Sequence, residues 1–189
     1  SLDPTSAPAS ANAEVVHYNI LQGLTKIEQD GKTSPLLAEN WHTSADQQVW
    51  RFSLRRNVQF HDGSPFDAST VRWCFERAQQ ANSGNKGQNA LFDNVSAIET
   101  PDPHTVVLQL HHPDPHLLFR LGESYAVILH PKTAATAHSQ PIGTGPYRFE
   151  RWQRGQSIHL KRFTGYWGPA PALKRASFHF LDATQLEQK

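Results

Sequence analysis

The chain has 189 residues, of which 38% are hydrophobic and 19% charged, and its formal net charge is +1. That composition suits one sizeable globular domain or two small lobes and excludes a disordered chain. The near-neutral total predicts no overall field that would attract nucleic acid or an anionic membrane. No apolar run reaches the roughly 18–20 residues that a membrane span needs. Ser1 opens a polar, small-residue stretch without the basic and apolar regions of a signal peptide, and Met is absent, which reads as a mature or trimmed segment. Cys74 is the sole cysteine, so no intrachain disulfide is expected. Its position three residues after Val71 and just before Phe75 places it on the core face of a helix, as a small apolar residue.

Along the chain, Val15, Val16, Ile20, Leu21 and Leu24 predict a short helix over residues 15–24 that Gly23 closes. Asp30-Gly31 marks a turn before the segment Pro35-Leu36-Leu37-Ala38. Residues 49–54 alternate Trp50, Phe52 and Leu54 against Val49, Arg51 and Ser53, the pattern of a half-buried strand, and Val58-Gln59-Phe60 alternates again. A helix capped by Asp67 is expected to end near Ala81, followed by a loop over residues 82–87. Strands are expected over 95–98 and 105–110, joined by the turn Pro101-Asp102-Pro103-His104. A short helix over 116–121, a strand over 126–129 and a helical turn over 132–137 come next. Strands over 147–152, 157–163 and 176–181 complete the reading, with no internal repeat.

Four blocks carry a resemblance. They are Leu2-Asp3-Pro4 with Tyr18-Asn19-Ile20-Leu21-Gln22-Gly23-Leu24, then residues 35–41, then residues 50–78, and last Ile142-Gly143-Thr144-Gly145-Pro146-Tyr147 with Gly165-Tyr166-Trp167-Gly168. In this order they resemble the family 5 extracellular solute-binding proteins, the oligopeptide, dipeptide and nickel receptors of ABC importers. The resemblance implies an α/β fold with a mixed sheet, of the class II periplasmic-binding-protein kind, with two lobes around a ligand cleft. It implies that residues 1–40 and 141–189 form the core of the first lobe and 41–140 an inserted subdomain, while the second lobe lies outside this chain. It also implies a periplasmic or extracellular protein, monomeric when intact, lipid-anchored where an upstream segment provides it. Its partners would be a short peptide or other small solute and a membrane permease, with no nucleic acid, no cofactor and no enzyme activity. A ligand-sensing domain of a transcription regulator is the alternative.

The resemblance further implies where the cleft wall lies. The loop over residues 5–12 would offer backbone groups, with Ser10, Ala11 and Asn12 as contacts, because backbone pairing accepts an extended peptide of any sequence. Asn89 and Phe92 would follow, then Glu123, Ser124 and Tyr125. Nickel receptors carry an arginine near this last place; here Glu123 and Tyr125 stand instead, with Arg120 one helical turn earlier, which favours a peptide-like or cationic ligand. Other readings of the residues are weaker. Gly143-x-Gly145 lacks the third glycine and the lysine of phosphate loops and reads as a tight turn. His111, His112, Asp114 and His116 are interrupted by Pro113 and Pro115, so they read as turn residues rather than metal ligands. No nucleophile elbow occurs. Trp41 and Tyr166-Trp167 are expected to fill core or interlobe space.

Overall fold

The computed structural model describes residues 1–6, 10–81 and 83–181. Part of the predicted 5–12 wall loop, Asn82 and residues 182–189 lie outside them.

The first helix, α1 (Ala11–Val16), is capped by Ser10 Oγ, which accepts from Ala13 N. It stops well short of the predicted 15–24 helix. Tyr18 takes a left-handed φ of 64°, which turns the chain out of the helix. Its phenol donates to the Gly122 carbonyl (2.7 Å) and accepts from Ile27 N (2.8 Å), so the turn is tied down on both sides. Ile20, Leu21 and Leu24 are still fully buried, but from a turn. β1 (Thr25–Ile27) and β2 (Thr33–Pro35) then form a hairpin across Asp30-Gly31.

β3 (Ala38–Thr43) and β4 (Val49–Leu54) precede two helices, α2 (Ala68–Gln80) and α3 (Lys86–Asp93); β5 (Val95–Asp102) and β6 (Thr105–Leu110) follow. The four strands make an antiparallel sheet in the order β3-β4-β6-β5. Trp50, Phe52 and Leu54 are buried as their alternation predicts, opposite Leu108 and Val106 of β6. α2 lies against β5 and β6, burying Val71, Cys74, Phe75 and Ala78. At its start Asp67 accepts from Ser69 N and Thr70 N, while Thr70 Oγ1 accepts from Asp67 N, a reciprocal capping box. Residues 58–60 do not form a strand. Gln59 makes one bridge to Pro65 around the Asp62-Gly63 turn, and only the burial of Val58 and Phe60 follows the alternation.

α4 (Leu117–Leu121) agrees with prediction. The strand expected over 126–129 is absent: these residues are buried, but their backbone bonds go elsewhere. Ile128 N donates to Gln22 O (2.9 Å) and Leu129 N to Cys74 Sγ (3.1 Å), so no neighbouring strand is needed. A three-stranded meander closes the described chain, with β7 (Tyr147–Gln153), β8 (Ser157–Arg162) and β9 (Arg175–His179) in that order. β9 stops at His179, short of the predicted Leu181.

The Gly143–Gly145 segment crosses directly over residues 19–20. Gly145 N donates to Ile20 O (3.0 Å), and a Cβ at Gly145 would sit 2.5 Å from Asn19 O, so a side chain is excluded there. His61 pins the crossing. Gly143 N donates to its Nδ1 (3.3 Å), and its Nε2 lies 3.0 Å from Gly145 O. Burial drives its pKa down from 6.5 to about 4, so the ring is neutral and the Nε2 proton points at the carbonyl. The segment is a turn, and its donors and acceptors are used inside the fold.

Candidate functional site

Three stretches meet on one side of α2 and α3: the N-terminal segment, the start of α3 and residues 122–125. Gln88 joins them. It is fully buried, and its Nε2 donates to Thr5 O (2.9 Å) and Tyr125 O (3.3 Å), while Ser83 Oγ donates to its Oε1. Asn85 caps α3 by accepting from Gly87 N and Gln88 N, which fixes Gln88 in the first turn. A buried amide with both ends satisfied makes a rigid joint. Sequence reasoning missed Gln88, although Asn85-x-x-Gln88 is a cap spacing that could have marked it.

Asp3 forms the second joint. Its carboxylate is buried and accepts from Thr5 N (2.8 Å) and Thr5 Oγ1 (2.6 Å). Arg77 of α2 donates to Thr5 Oγ1 (2.9 Å) and reaches Asp3 Oδ2 at 3.4 Å. The Leu2-Asp3-Pro4 motif therefore fastens the N-terminal segment to α2 by a charge-assisted contact.

Two hollows flank Tyr125. The smaller, of about 130 Å³, lies between Thr5, Ser6, Arg77, Phe75, Phe92 and Tyr125. The larger, of about 560 Å³, is an open hollow bounded by Asn85, Gly87, His116, Arg120, Glu123 and Ser124, with Tyr125 at its base. Gly87 is needed here, since a Cβ would meet Tyr125 Cε1 at 2.9 Å. Burial, and after it the nearby Glu123, holds the Tyr125 phenol above its ordinary pKa, so it remains a neutral hydroxyl. Arg120 is not free: its Nε donates to Asp114 Oδ2 at 2.9 Å, and Asp114 also accepts from His116 N. With Arg77 held by Asp3 and Arg120 by Asp114, Glu123 is the wall's charge without an ion-pair partner among the described residues.

The structure thus brings Glu123, Ser124 and Tyr125 together in one hollow and places Phe92 on the wall of the other. Phe92 is 2% exposed and tilts on Phe75 with ring centroids 5.1 Å apart, so it is first a core residue. Asn89, Ser10, Ala11 and Asn12 line neither hollow. Ser10 is an N-cap, and Ala11 and Asn12 stand in the first turn of α1 rather than in a loop, which corrects the expected extent of the wall loop.

Cys74 is buried between the amide and carbonyl of Leu129, and burial pushes its thiol up to about 12, as an inert core residue. His112 and Asp114 engage Asn94 and Arg120 respectively, and among the described residues no group of three His, Cys, Asp or Glu side chains is placed to hold a metal ion. Tyr166 and Trp167 converge on Gln22: its Nε2 donates to the Tyr166 hydroxyl, and Trp167 Nε1 donates to its Oε1. Arg55 stacks over Trp167 at 4.3 Å. These aromatics close the fold, while Trp41 packs half-buried beside Phe52.

Comparison with known proteins gives a consistent result. The family model described as bacterial extracellular solute-binding proteins, family 5 Middle, matches residues 32–189. The chain is 32% identical over 171 residues to the glutathione-binding protein GsiB of Salmonella paratyphi A, covering 88% of this chain and 33% of that protein. It is 33% identical over 172 residues to GsiB of Pectobacterium atrosepticum, with the same shares covered. It therefore spans about a third of the length of these curated relatives. Among solved structures, the PBP AgaA of A. tumefaciens R10 in complex with agropinic acid superposes with a TM-score of 0.85 at 32% identity, covering 96% of this chain and 37% of that one. The periplasmic binding protein DppA of Helicobacter pylori in complex with the peptide STSA gives 0.83 at 25% identity, covering 96% and 40%.

Proposed function

Because this chain belongs to the bacterial extracellular solute-binding proteins of family 5, we propose that it supplies one wall of a ligand cleft in the substrate-binding component of an ABC-type importer. The fold is the α/β fold of class II periplasmic binding proteins. The solute we propose is a short peptide, or a peptide-like molecule, that carries a free amino group. It would be captured between this lobe, with residues 1–40 and 141–189 as its core and 41–140 as an inserted subdomain, and a second lobe. The closed form would then be delivered to a membrane permease outside the cytoplasm. Relatives named for glutathione and a solved neighbour holding a tetrapeptide support the ligand class and favour transport over a regulator's sensing domain.

The observation that carries the ligand reading is the state of the wall's charges. Arg77 and Arg120 are each paired with an acid, Asp3 and Asp114, while Glu123 lines the open hollow beside the neutral Tyr125 hydroxyl without an ion-pair partner among the described residues. A carboxylate in such a recess favours an ammonium group. Closure follows if ligand contacts differ between open and closed states, since only differential affinity shifts such an equilibrium.

The test is calorimetric titration of the full-length protein with glutathione and with di- to tetrapeptides, with free and acetylated amino termini. Glu123→Gln is expected to weaken the free-amine ligands about tenfold, a loss typical of one charge-assisted hydrogen bond, and to leave the acetylated ones unchanged. Equal effects on both would remove Glu123 as the amine contact. Failure of every peptide to bind would remove the peptide reading.

A further inference from the structure

The net charge of +1 conceals a strong segregation. Between residues 147 and 181 stand seven Lys or Arg residues against one acid, Glu150. The register of the three-stranded sheet gathers them. Arg148 of β7 lies opposite Lys161 of β8, and Lys161 lies opposite Arg175 of β9, so three cations occupy one row across three strands. The next row is Arg151, His159 and Ser177, and the one after it Gln153, Ser157 and His179. All belong to one face, because Phe149, Trp152, Ile158, Leu160 and Phe178 point to the other. Like charges directly opposite one another on neighbouring strands destabilise a sheet. Among the described residues one ion pair offsets them, between Glu150 and Arg175 at 3.3 Å, and the Arg175 side chain is still 73% exposed.

This face has chemistry but no apolar anchor. Its centre is polar: His159 lies 2.8 Å from both Ser157 Oγ and Ser177 Oγ, and Arg151 reaches the same ring at 3.4 Å. Stable protein interfaces are centred on buried aromatic or aliphatic anchors, which this face does not present. Lys174 adds charge just before β9, whereas Arg154 folds over the Trp152 ring of the other face at 4.6 Å; Leu173, 64% exposed, stands beside Lys174, and Leu181, also exposed, follows β9. A face with four cations, Lys174 beside it and two exposed leucines next to its outer strand, Leu173 and Leu181, fits a surface of phosphodiester headgroups. Guanidinium forks match phosphate oxygens, and clusters of about 4–8 Lys or Arg residues hold proteins to anionic bilayers.

We propose that the polar face of the β7-β8-β9 sheet is a peripheral docking surface for anionic phospholipid headgroups. It would keep the protein against the bilayer through residues that line neither hollow of the candidate site. The proposal is independent of the ligand reading, and its failure leaves that reading standing.

The experiment is co-sedimentation of the full-length protein, without any lipid anchor, with vesicles of phosphatidylcholine alone and of phosphatidylcholine mixed with phosphatidylglycerol. Binding is expected only to the mixed vesicles and is expected to disappear in high salt, where exposed charges are screened. Arg151→Gln with Lys161→Gln is expected to weaken it about tenfold or more. Arg151→Lys with Lys161→Arg keeps the charge and should keep the binding, and titration of the peptide ligand should be unchanged in both variants. Absence of binding to mixed vesicles overturns the proposal. So does undiminished binding by the Gln variant, or equal binding to soluble polyglutamate, which would point to an acidic protein partner instead.

Discussion

The two larger sheets of this molecule are built from similar antiparallel strands but are covered differently. In the four-stranded sheet, β4 and β6 each have a strand on both sides and α2 lies over the sheet, so Phe52, Val106 and Leu108 are fully buried. In the three-stranded sheet only the central strand reaches that state, through Ile158 and Leu160. Its outer strands leave Phe149, Trp152, Phe178 and Phe180 only partly buried. The difference shows that strand pairing alone does not make a core here. What decides is whether an element lies over the apolar face.

The comparison is broken most directly by truncating one aromatic in each sheet. Phe52→Ala removes a fully buried ring between Trp50 and Trp41, and is expected to cost about 3–5 kcal/mol in urea unfolding. Phe178→Ala in β9 removes a ring that is already partly in contact with water, and is expected to cost about 1–2 kcal/mol. Equal losses would mean that the two sheets are equally covered in solution.

The same distinction explains what sequence reasoning can reach. β4, α2, β6 and the closing meander were all readable, because their burial follows period two or the helical period from their own residues. Residues 58–60 and 126–129 alternate or are continuously apolar, yet neither joins a sheet: the first pairs back on residues 64–66 across a turn, and the second sends its backbone bonds to a loop and to a thiol. Periodicity reports burial and cannot report which group accepts a hydrogen bond. The candidate site divides in the same way. Glu123, Ser124 and Tyr125 were reached through a resemblance, whereas Gln88 and the Asp3–Arg77 contact join residues far apart in sequence. Only the Asn85-x-x-Gln88 cap left a local trace.

The crossing between the sheets offers a sharper test, because His61 is held there as a neutral ring. Its pKa is about 4 in the folded state against 6.5 as the ordinary value, so below pH 6.5 the unfolded chain binds a proton that the folded chain does not. Stability is therefore full above about pH 6.5 and falls as the pH drops toward 4, by an amount on the order of 3 kcal/mol for this residue. His17, lowered in the same way by burial, adds to the slope with the same sign. Unfolding free energies measured between these pH values should show a shallower slope in His61→Gln than in the parent. An unchanged slope would mean that the ring is already protonated in the folded protein and that the crossing is held otherwise.

The smallest effect concerns how α2 comes to cover its sheet. The Asp67 carboxylate accepts from two amides of the first turn, and Thr70 returns the bond to the Asp67 amide. Asp67→Ala is expected to cost about 1 kcal/mol, while Asp67→Asn, which keeps an acceptor oxygen, should recover most of it. The loss should appear in the unfolding midpoint without weakening peptide binding, because the capped end of α2 is the far end from Arg77 and Ala81, where the helix meets the candidate wall. If peptide affinity fell together with stability, the helix would be transmitting strain along its length from cap to cleft. The cover of the four-stranded sheet and the geometry of the ligand wall would then be one property rather than two.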